Sequence, residues 1–317
     1  MRVARSLEEA AEFGPTAVTI GNFDGVHVGH LRLLEEVVSA AKEQGVAPAV
    51  LTFDPHPAAI VAPGRATRLL STQAERCSLM ARAGIEYVLI QPFTTVVAQW
   101  TPEQFAERVL AKSLRALVVV VGENFRFGHK QAGDTAVLTE LGLRHGFSVR
   151  AVKPVVFRGR TVSSSEIRRA ADSGNMSLAG RLLGRPFAIS GQVVSGHGIG
   201  SRQTVPTLNL KTTAQVLPRE GVYITRTTSD DGETRQWNSI TNVGHRPTFD
   251  GGPELSIETF LLDPFTPPTP VRIRVEFLRR VRDERKFESA DALKAQIMRD
   301  VARAQAYFRR TLQACRS

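Results

Sequence analysis

The chain has 317 residues, 42% of them hydrophobic and 23% charged, which is enough for two domains with packed cores and excludes a disordered polyampholyte. No apolar run reaches membrane-spanning length, the opening Met1-Arg2-Val3-Ala4-Arg5-Ser6 argues against a secretory leader, and two distant cysteines, Cys77 and Cys315, make no disulfide framework, so a reducing cytoplasm is expected. A net charge of +10 suits nucleic acid or polyphosphate substrates, and arginines spread without aromatic interleaving favour the second: small molecules, with no nucleic acid, no membrane, and homo-oligomerisation left open.

The apolar run Ala17-Val18-Thr19-Ile20 predicts a buried strand, and residues 31–38 repeat apolar side chains at helical spacing. Between them stands Gly21-Asn22-Phe23-Asp24-Gly25-Val26-His27-Val28-Gly29-His30. This is a strand-to-helix turn, where unpaired N–H groups and a positive dipole end favour phosphate. Gly29 lacks a Cβ, so a ligand can approach the backbone there. His27 and His30 lie three apart on the first helical turn, placed to face one phosphate. Imidazole N–H groups suit a phosphorus centre that gains negative charge. Two histidines at this spacing also describe half of a metal site, or a helix start without function. Further ligands at zinc spacing are absent from the neighbouring sequence.

Residues 47–53 predict a second strand, ending in Asp54-Pro55-His56-Pro57, a stiff turn because proline fixes φ. In an open parallel sheet ligands sit at the carboxyl ends of strands, so His56 is aimed at the edge that carries the first motif. A plain turn accounts for it equally well. Helices over 73–83 and 102–112 alternate with strands over 87–90 and 117–121. The βαβα order predicts a doubly wound parallel sheet. The last of these strands runs into Gly122-Glu123-Asn124-Phe125-Arg126-Phe127-Gly128, continuing to Gly133-Asp134, a ligand loop by its aromatics, glycines and polar groups. It is not a Walker A motif, since its glycine spacing is wrong and no Ser or Thr follows Lys130. The other reading is an exposed basic turn with Phe125 and Phe127 packed beneath.

Ser163-Ser164-Ser165-Glu166-Ile167-Arg168 is a helix start with a partial capping box, and equally a second phosphate clamp in which Arg168 offers a bidentate fork. A short helix over 175–186, closed by Gly184 and Pro186, marks the boundary. Beyond it the texture changes. Alternating segments at 187–194, 207–210, 221–227, 236–243, 255–262 and 271–278, parted by Gly, Pro and Asp, predict a small antiparallel barrel. An amphipathic helix over about 289–312 closes the chain. Within the barrel segment, Gly196-His197-Gly198-Ile199-Gly200-Ser201-Arg202 reads as a flap over a nucleotide or as a hairpin loop. No helix follows these glycines, so a dinucleotide fingerprint is excluded. Glu258 is a carboxylate on an otherwise apolar strand, and an outward-facing position explains it by alternation alone.

The string Phe23-Asp24-Gly25-Val26-His27-x-Gly29-His30 resembles the HxGH nucleotidyltransferase superfamily, and within it the bacterial bifunctional riboflavin kinase/FAD synthetase family. The resemblance extends from about Thr16 to Val301, through GxNFxFGxxxxG at Gly122, the Ser-Ser-x-x-Ile-Arg string, NxGxRPTF at Asn242, and an RxRxExxF-like tail at Arg279. It implies an α/β Rossmann-like HxGH domain over 1–173, a linker helix over 174–186, and a riboflavin-kinase-like β-barrel with a C-terminal helix over 187–317. The implied reactions are phosphorylation of riboflavin to FMN, and adenylylation of FMN to FAD with release of pyrophosphate. ATP is the co-substrate and Mg²⁺ the cofactor.

Residue by residue, the resemblance implies that His27, His30 and Arg168 hold the triphosphate, with Gly21, Phe23, Gly29, Ser163 and Ser164 on the ATP side. His56, Asn124, Phe125 and Phe127 fall on the flavin side. In the second half, Gly196, Gly200, Arg202 and Pro206 form the ATP flap, and Thr207 and Asn209 offer neutral oxygens to Mg²⁺. Glu258 is then the general base for the riboflavin 5′-hydroxyl. The family reads GRxxGxPTAN at the flap; here Arg is displaced to Arg202, Thr204 replaces glycine and Leu208 replaces alanine. Two other readings remain: an RNA-binding relative of tRNA synthetases, which share the HxGH turn, and an enzyme with one working half, the kinase being the half whose motif departs. The first lacks a KMSKS string and a recognisable anticodon-binding region.

Overall fold

Runs of Val, Ile and Leu become the middle strands of a parallel sheet. The computed structural model describes residues 1–65, 67–194, 207–230, 235–247, 253–285 and 287–314. They divide into two compact units, Met1–Ser164 and Ser165–Ser317. In the first, β1 (Arg2–Ala4), β2 (Thr16–Ile20), β3 (Ala47–Asp54), β4 (Tyr87–Pro92), β5 (Ala116–Gly122) and β6 (Ser148–Val152) lie in the order β1-β4-β3-β2-β5-β6. Every neighbouring pair is parallel.

Alternate residues of these strands serve two cores. Val18, Ile20, Leu51, Val119 and Val121 meet Phe105, Leu110 and Leu138 on one face. Ala17, Val50, Val118 and Val120 meet Leu34, Val37 and Met80 on the other. The covering helices are α1 (Leu7–Ala11), α2 (Val28–Gln44), α3 (Pro57–Val61), α4 (Gln73–Arg82), α5 (Pro102–Phe105, continued by wider turns through Ala106–Ser113) and α6 (Thr135–His145). β3 and β4 lie to one side of β2, β5 and β6 to the other. The connections therefore diverge at β2 and β5, the place where such sheets open a crevice beyond their carboxyl ends. The two loops singled out by the sequence leave these two strands. A hairpin of β7 (Val156–Phe157) and β8 (Arg160–Thr161) follows.

The second unit carries α7 (Ser164–Asp172, whose first residue closes the first unit), α8 (Met176–Leu183) and a closed antiparallel barrel. The barrel strands are β9 (Phe187–Val194), β10 (Thr207–Lys211), β11 (Gly221–Ser229), β12 (Gln236–Pro247), β13 (Pro253–Leu261) and β14 (Arg272–Arg282), ordered β10-β13-β12-β11-β14-β9. All six match the predicted strands, with ends that shift by up to four residues. The long last helix is α9 (Ala290–Ala314). It buries Ala304 and Phe308 against Val222, Ile224 and Ile240, on the outside of the barrel.

The barrel interior is partly polar. Thr225 is hydrogen-bonded to Ser239 and Thr241 at 2.8 Å each, Thr227 to Ser239 at 2.8 Å, and Thr241 to Thr259 at 3.0 Å, all wholly buried. Mutual pairing satisfies hydroxyls that would otherwise be costly to bury. The helices α7 and α8 join this unit through specific contacts. The Arg219 N–H donates to the Ala171 carbonyl at 3.0 Å, and the Ser177 hydroxyl to that of Leu278 at 3.3 Å. A Cβ at Gly174, where φ is +74, would stand 2.6 Å from Arg280 Cδ.

Candidate functional sites in the two units

α2 begins on a histidine pair. His27 caps the helix, its Nδ1 accepting the His30 N–H at 3.2 Å. A neutral His27 in this geometry carries its proton on Nε2. The two imidazoles stack at 3.6 Å with planes 14° apart, His27 buried and His30 half-buried. So the sequence spacing does bring both rings together at a helix N-terminus. A Cβ at Gly29 would lie 3.1 Å from His27 Cε1 and Nδ1, so glycine makes room for the stacked ring. The Phe23 side chain is wholly buried, 5.0 Å from the His30 ring, and supports that ring from within the core. A Cβ at Gly21 would come within 3.2 Å of Phe23 Cε2.

The turn before α2 is gripped by residues that the motif does not contain. The Asn22 carbonyl accepts from Arg76 Nη1 at 2.9 Å and from the Thr52 hydroxyl at 3.4 Å. The buried Asp24 carboxylate accepts from the N–H groups of Leu70 and Ser71 at 2.9 and 3.3 Å. The Ser71 hydroxyl accepts the Gly25 N–H at 2.9 Å. Ser164 spends its hydroxyl on the Asp24 carbonyl at 2.9 Å, which makes it a support for the turn. Ser163, beside it, is half-buried. Arg168 lies on α7 in the second unit.

β3 runs three residues past Leu51, the register partner of Ile20, so His56 leaves the sheet at the same edge as the histidine pair. It caps α3, with Nδ1 accepting the Ala58 N–H at 3.2 Å. The loop after β5 is held from below. Phe127 is 6% exposed and packs 5.6 Å from Phe105 and 5.5 Å from Phe125, so it anchors the loop from below. Its backbone exchanges two hydrogen bonds with Gly133, at 3.0 and 2.9 Å. A Cβ at Gly133 would fall 2.5 Å from the Phe127 ring. Asn124 is exposed and Phe125 half-buried, and these two remain on the open side. Asp134 ends the loop by capping α6. The N–H groups of Val137 and Ala136, with Arg126 beside them, hold its carboxyl below the usual range.

In the barrel, antiparallel register aligns three polar residues on adjacent strands. Glu258 of β13 stands opposite Asn209 of β10 and Asn242 of β12. Ile257, Thr259 and Leu261 are buried, while Ser256, Glu258 and Phe260 alternate onto the outer face. Thr207 is two residues from Asn209 and shares its face. The Ser256 hydroxyl donates to Glu258 Oε1 at 2.9 Å, and Asn242 Nδ2 to Glu284 Oε1 at 3.3 Å. The Glu284 carboxylate lies over Gly244, where a Cβ would displace it. Sequence reasoning missed Ser256, and took Asn242 and Glu284 only as parts of motif strings without a place beside Glu258. Their signal was the alternation itself, which puts residues 256 and 258 on one face. Gly196, Gly200, Arg202 and Pro206 lie outside the described residues. Thr207 and Asn209 are oxygen donors beside a carboxylate, a set that fits a hard divalent cation sharing its remaining ligands with phosphate. Among the described residues no three His, Cys, Asp or Glu side chains gather as a metal site.

Comparison with known proteins covers both halves. Residues 9–166 match the family model for FAD synthetase, and residues 183–308 that for riboflavin kinase. The chain is 35% identical over 308 residues to the bifunctional riboflavin kinase/FMN adenylyltransferase of Escherichia coli K12, covering 97% of each. It is 34% identical to that of Haemophilus influenzae over 309 residues, covering 97% of this chain and 99% of the other. A crystal structure from Streptococcus pneumoniae, described as a macrolide-efflux protein, superposes with a TM-score of 0.85 at 27% identity, over 95% of this chain and 98% of its own. Two successive domains, matched in order and over almost the full length of such relatives, make this chain a member of the bifunctional riboflavin kinase/FMN adenylyltransferase family.

Proposed function

We propose that the two activities divide between the two units. The barrel unit phosphorylates riboflavin with ATP to give FMN and ADP. The sheet unit transfers an adenylyl group from a second ATP to FMN, giving FAD and pyrophosphate. In the barrel, Glu258 takes the proton of the riboflavin 5′-hydroxyl as that oxygen attacks the γ-phosphorus. Ser256 orients the carboxylate by its hydrogen bond at 2.9 Å. Thr207 and Asn209 would hold Mg²⁺, which when bound neutralises phosphate charge.

In the sheet unit no covalent enzyme intermediate is needed. An FMN phosphate oxygen attacks the α-phosphorus, the bond to pyrophosphate breaks, and catalysis is positioning plus stabilisation of charge. The Nε2–H of His27, the ring of His30 and the N-terminus of α2 supply that stabilisation. His56, Asn124 and Phe125 take the flavin at the same sheet edge. The stacked imidazole pair, capping α2 at the carboxyl edge of β2, is the observation that carries this half of the reading. The efflux named for the pneumococcal structure is not carried over to this chain. Among the described residues no helix is long and apolar enough to cross a membrane, and a reducing cytoplasm suits Cys77, which is a free thiol.

The test is incubation with riboflavin, ATP and Mg²⁺, with FMN and FAD followed by chromatography. His30→Ala should abolish FAD while FMN accumulates. Glu258→Gln should cut riboflavin phosphorylation by roughly 10²–10⁴-fold and leave FAD formation from supplied FMN intact. Normal phosphorylation by the Glu258 variant would remove it from its role. Loss of both activities in a folded single variant would refute the division between units.

A further inference from the structure

The turn that carries the histidine pair has negative ends of its own, and its neighbours draw them inward. The Asn22 carbonyl goes to Arg76 and Thr52, and the Asp24 carboxylate, 2% exposed, to the N–H groups of Leu70 and Ser71 and the Ser71 hydroxyl. The Asp24 carbonyl goes to Ser164. Such bending needs left-handed backbone at Phe23, Gly25 and Val26, with φ of 49°, 78° and 38°. Residues other than glycine hold that conformation only when their surroundings impose it. The outcome is a turn that has turned its acceptors away from the N-terminus of α2.

One of these neighbours brings more than a hydrogen bond. Arg76, on α4, is 4% exposed. Nη1 reaches the Asn22 carbonyl at 2.9 Å, while Nε is buried with no hydrogen-bond partner. No carboxylate pairs with Arg76 among the described residues, although a guanidinium keeps its proton when buried. A positive charge thus sits beneath the turn with a carbonyl, and no carboxylate, as its hydrogen-bond partner, the nearby Asp24 carboxylate being taken up by Leu70 and Ser71. Burial of that kind is costly unless an opposite charge arrives. A merely structural peg would need no charge, since a neutral amide can donate to the same carbonyl.

We propose that Arg76 is a positioning residue for adenylyl transfer: a buried cation that holds the Asn22 carbonyl inward, its charge balanced by the phosphates of ATP at the turn. This rests on the adenylyl-transfer reading given above. Carbonyl placement fixes the peptide before Phe23, whose ring lies under His30. Arg76 therefore acts on the seat both through geometry and through potential.

The test compares Arg76→Gln, Arg76→Lys and Arg76→Met in the full chain. Each preparation is assayed for FMN adenylylation across ATP concentrations and for riboflavin phosphorylation. Arg76→Gln keeps a donor for Asn22 but loses the charge, and should raise KM for ATP about tenfold or more, with a smaller fall in kcat. Arg76→Lys should recover most of that loss, and Arg76→Met should fall furthest. Wild-type KM and kcat in Arg76→Gln would overturn the proposal. If the variants also lose riboflavin phosphorylation, they have misfolded and the wild type decides. Inorganic pyrophosphate should then slow amide exchange across residues 70–76 as well as 27–30, and protection confined to 27–30 would overturn the proposal. Should His30→Ala still form FAD, the adenylyl-transfer reading itself falls, whatever the Arg76 series shows.

Discussion

Gly29 decides how closely His27 and His30 can stand. A methyl group there would press on the His27 ring at 3.1 Å, a distance side chains seldom tolerate. Gly29→Ala should therefore shift the His27 ring by a few tenths of an ångström against His30 and lower FAD formation roughly tenfold. Riboflavin phosphorylation, performed in the other unit, serves as the control and should stay unchanged. The same arithmetic applies at Gly133, where a Cβ would meet the Phe127 ring at 2.5 Å. Gly133→Ala should loosen the loop after β5 and raise KM for FMN, measured with FMN supplied. Glycine in these motifs thus serves side-chain packing, an effect invisible when the residue is read only as open backbone.

Helix ends and helix faces carry the next level of order. Asp134 caps α6, and the N–H groups of Val137 and Ala136 lower its pKa. A carboxyl lowered in the folded state stabilises above its ordinary, unfolded value and loses that contribution as pH falls through the folded one. Asp134→Ala should accordingly melt below wild type at neutral pH, and the gap in Tm should close as pH falls below the ordinary carboxyl range and through the lowered folded value. α9 is fastened differently. Asp300, 2% exposed, accepts from Arg282 Nε of β14 and from Gln296 Nε2, each at 2.8 Å. Removing one partner of a buried pair strands the other, so Asp300→Ala should destabilise the barrel unit by about 3 kcal/mol, read by chemical denaturation. An apolar stripe on this helix was legible in the sequence. That two polar residues would share its buried face was not, because their partners come from the helix itself and from a strand end.

Across the whole chain the unit boundary is the feature with most consequence. Sequence texture places it at the helix over 175–186, between a domain ending at 173 and a barrel starting at 187. Contacts divide the chain at Ser164 and Ser165, with α7 and α8 attached to the barrel through Ala171, Gly174 and Ser177. We propose the later cut as the wrong one for expression. A fragment from Ser165 should fold and phosphorylate riboflavin, whereas one from Phe187 should lose stability, since α8 buries Met176, Ala179, Leu182 and Leu183. Thermal melting and kinase assay of the two fragments check this.

Periodicity alone determined the two architectures. Continuous apolar runs between helical patterns read as parallel strands buried on both faces, and alternating runs between turn residues as antiparallel strands with one buried and one wetted face. The motif spacing likewise placed His27 beside His30, since residues three apart share a helix face. Short or polar elements such as β1, α3 and the exposed edge strand β6 escaped, having too little apolar pattern to declare themselves. Tertiary structure alone decided that Phe23 and Phe127 are supports, that Ser164 is spent on Asp24, and that Arg76 lies under the turn. Ser164 and Arg76 depend on partners distant in sequence, 140 residues apart for Ser164 and Asp24 and 54 for Arg76 and Asn22, and such pairings leave no local periodicity to read.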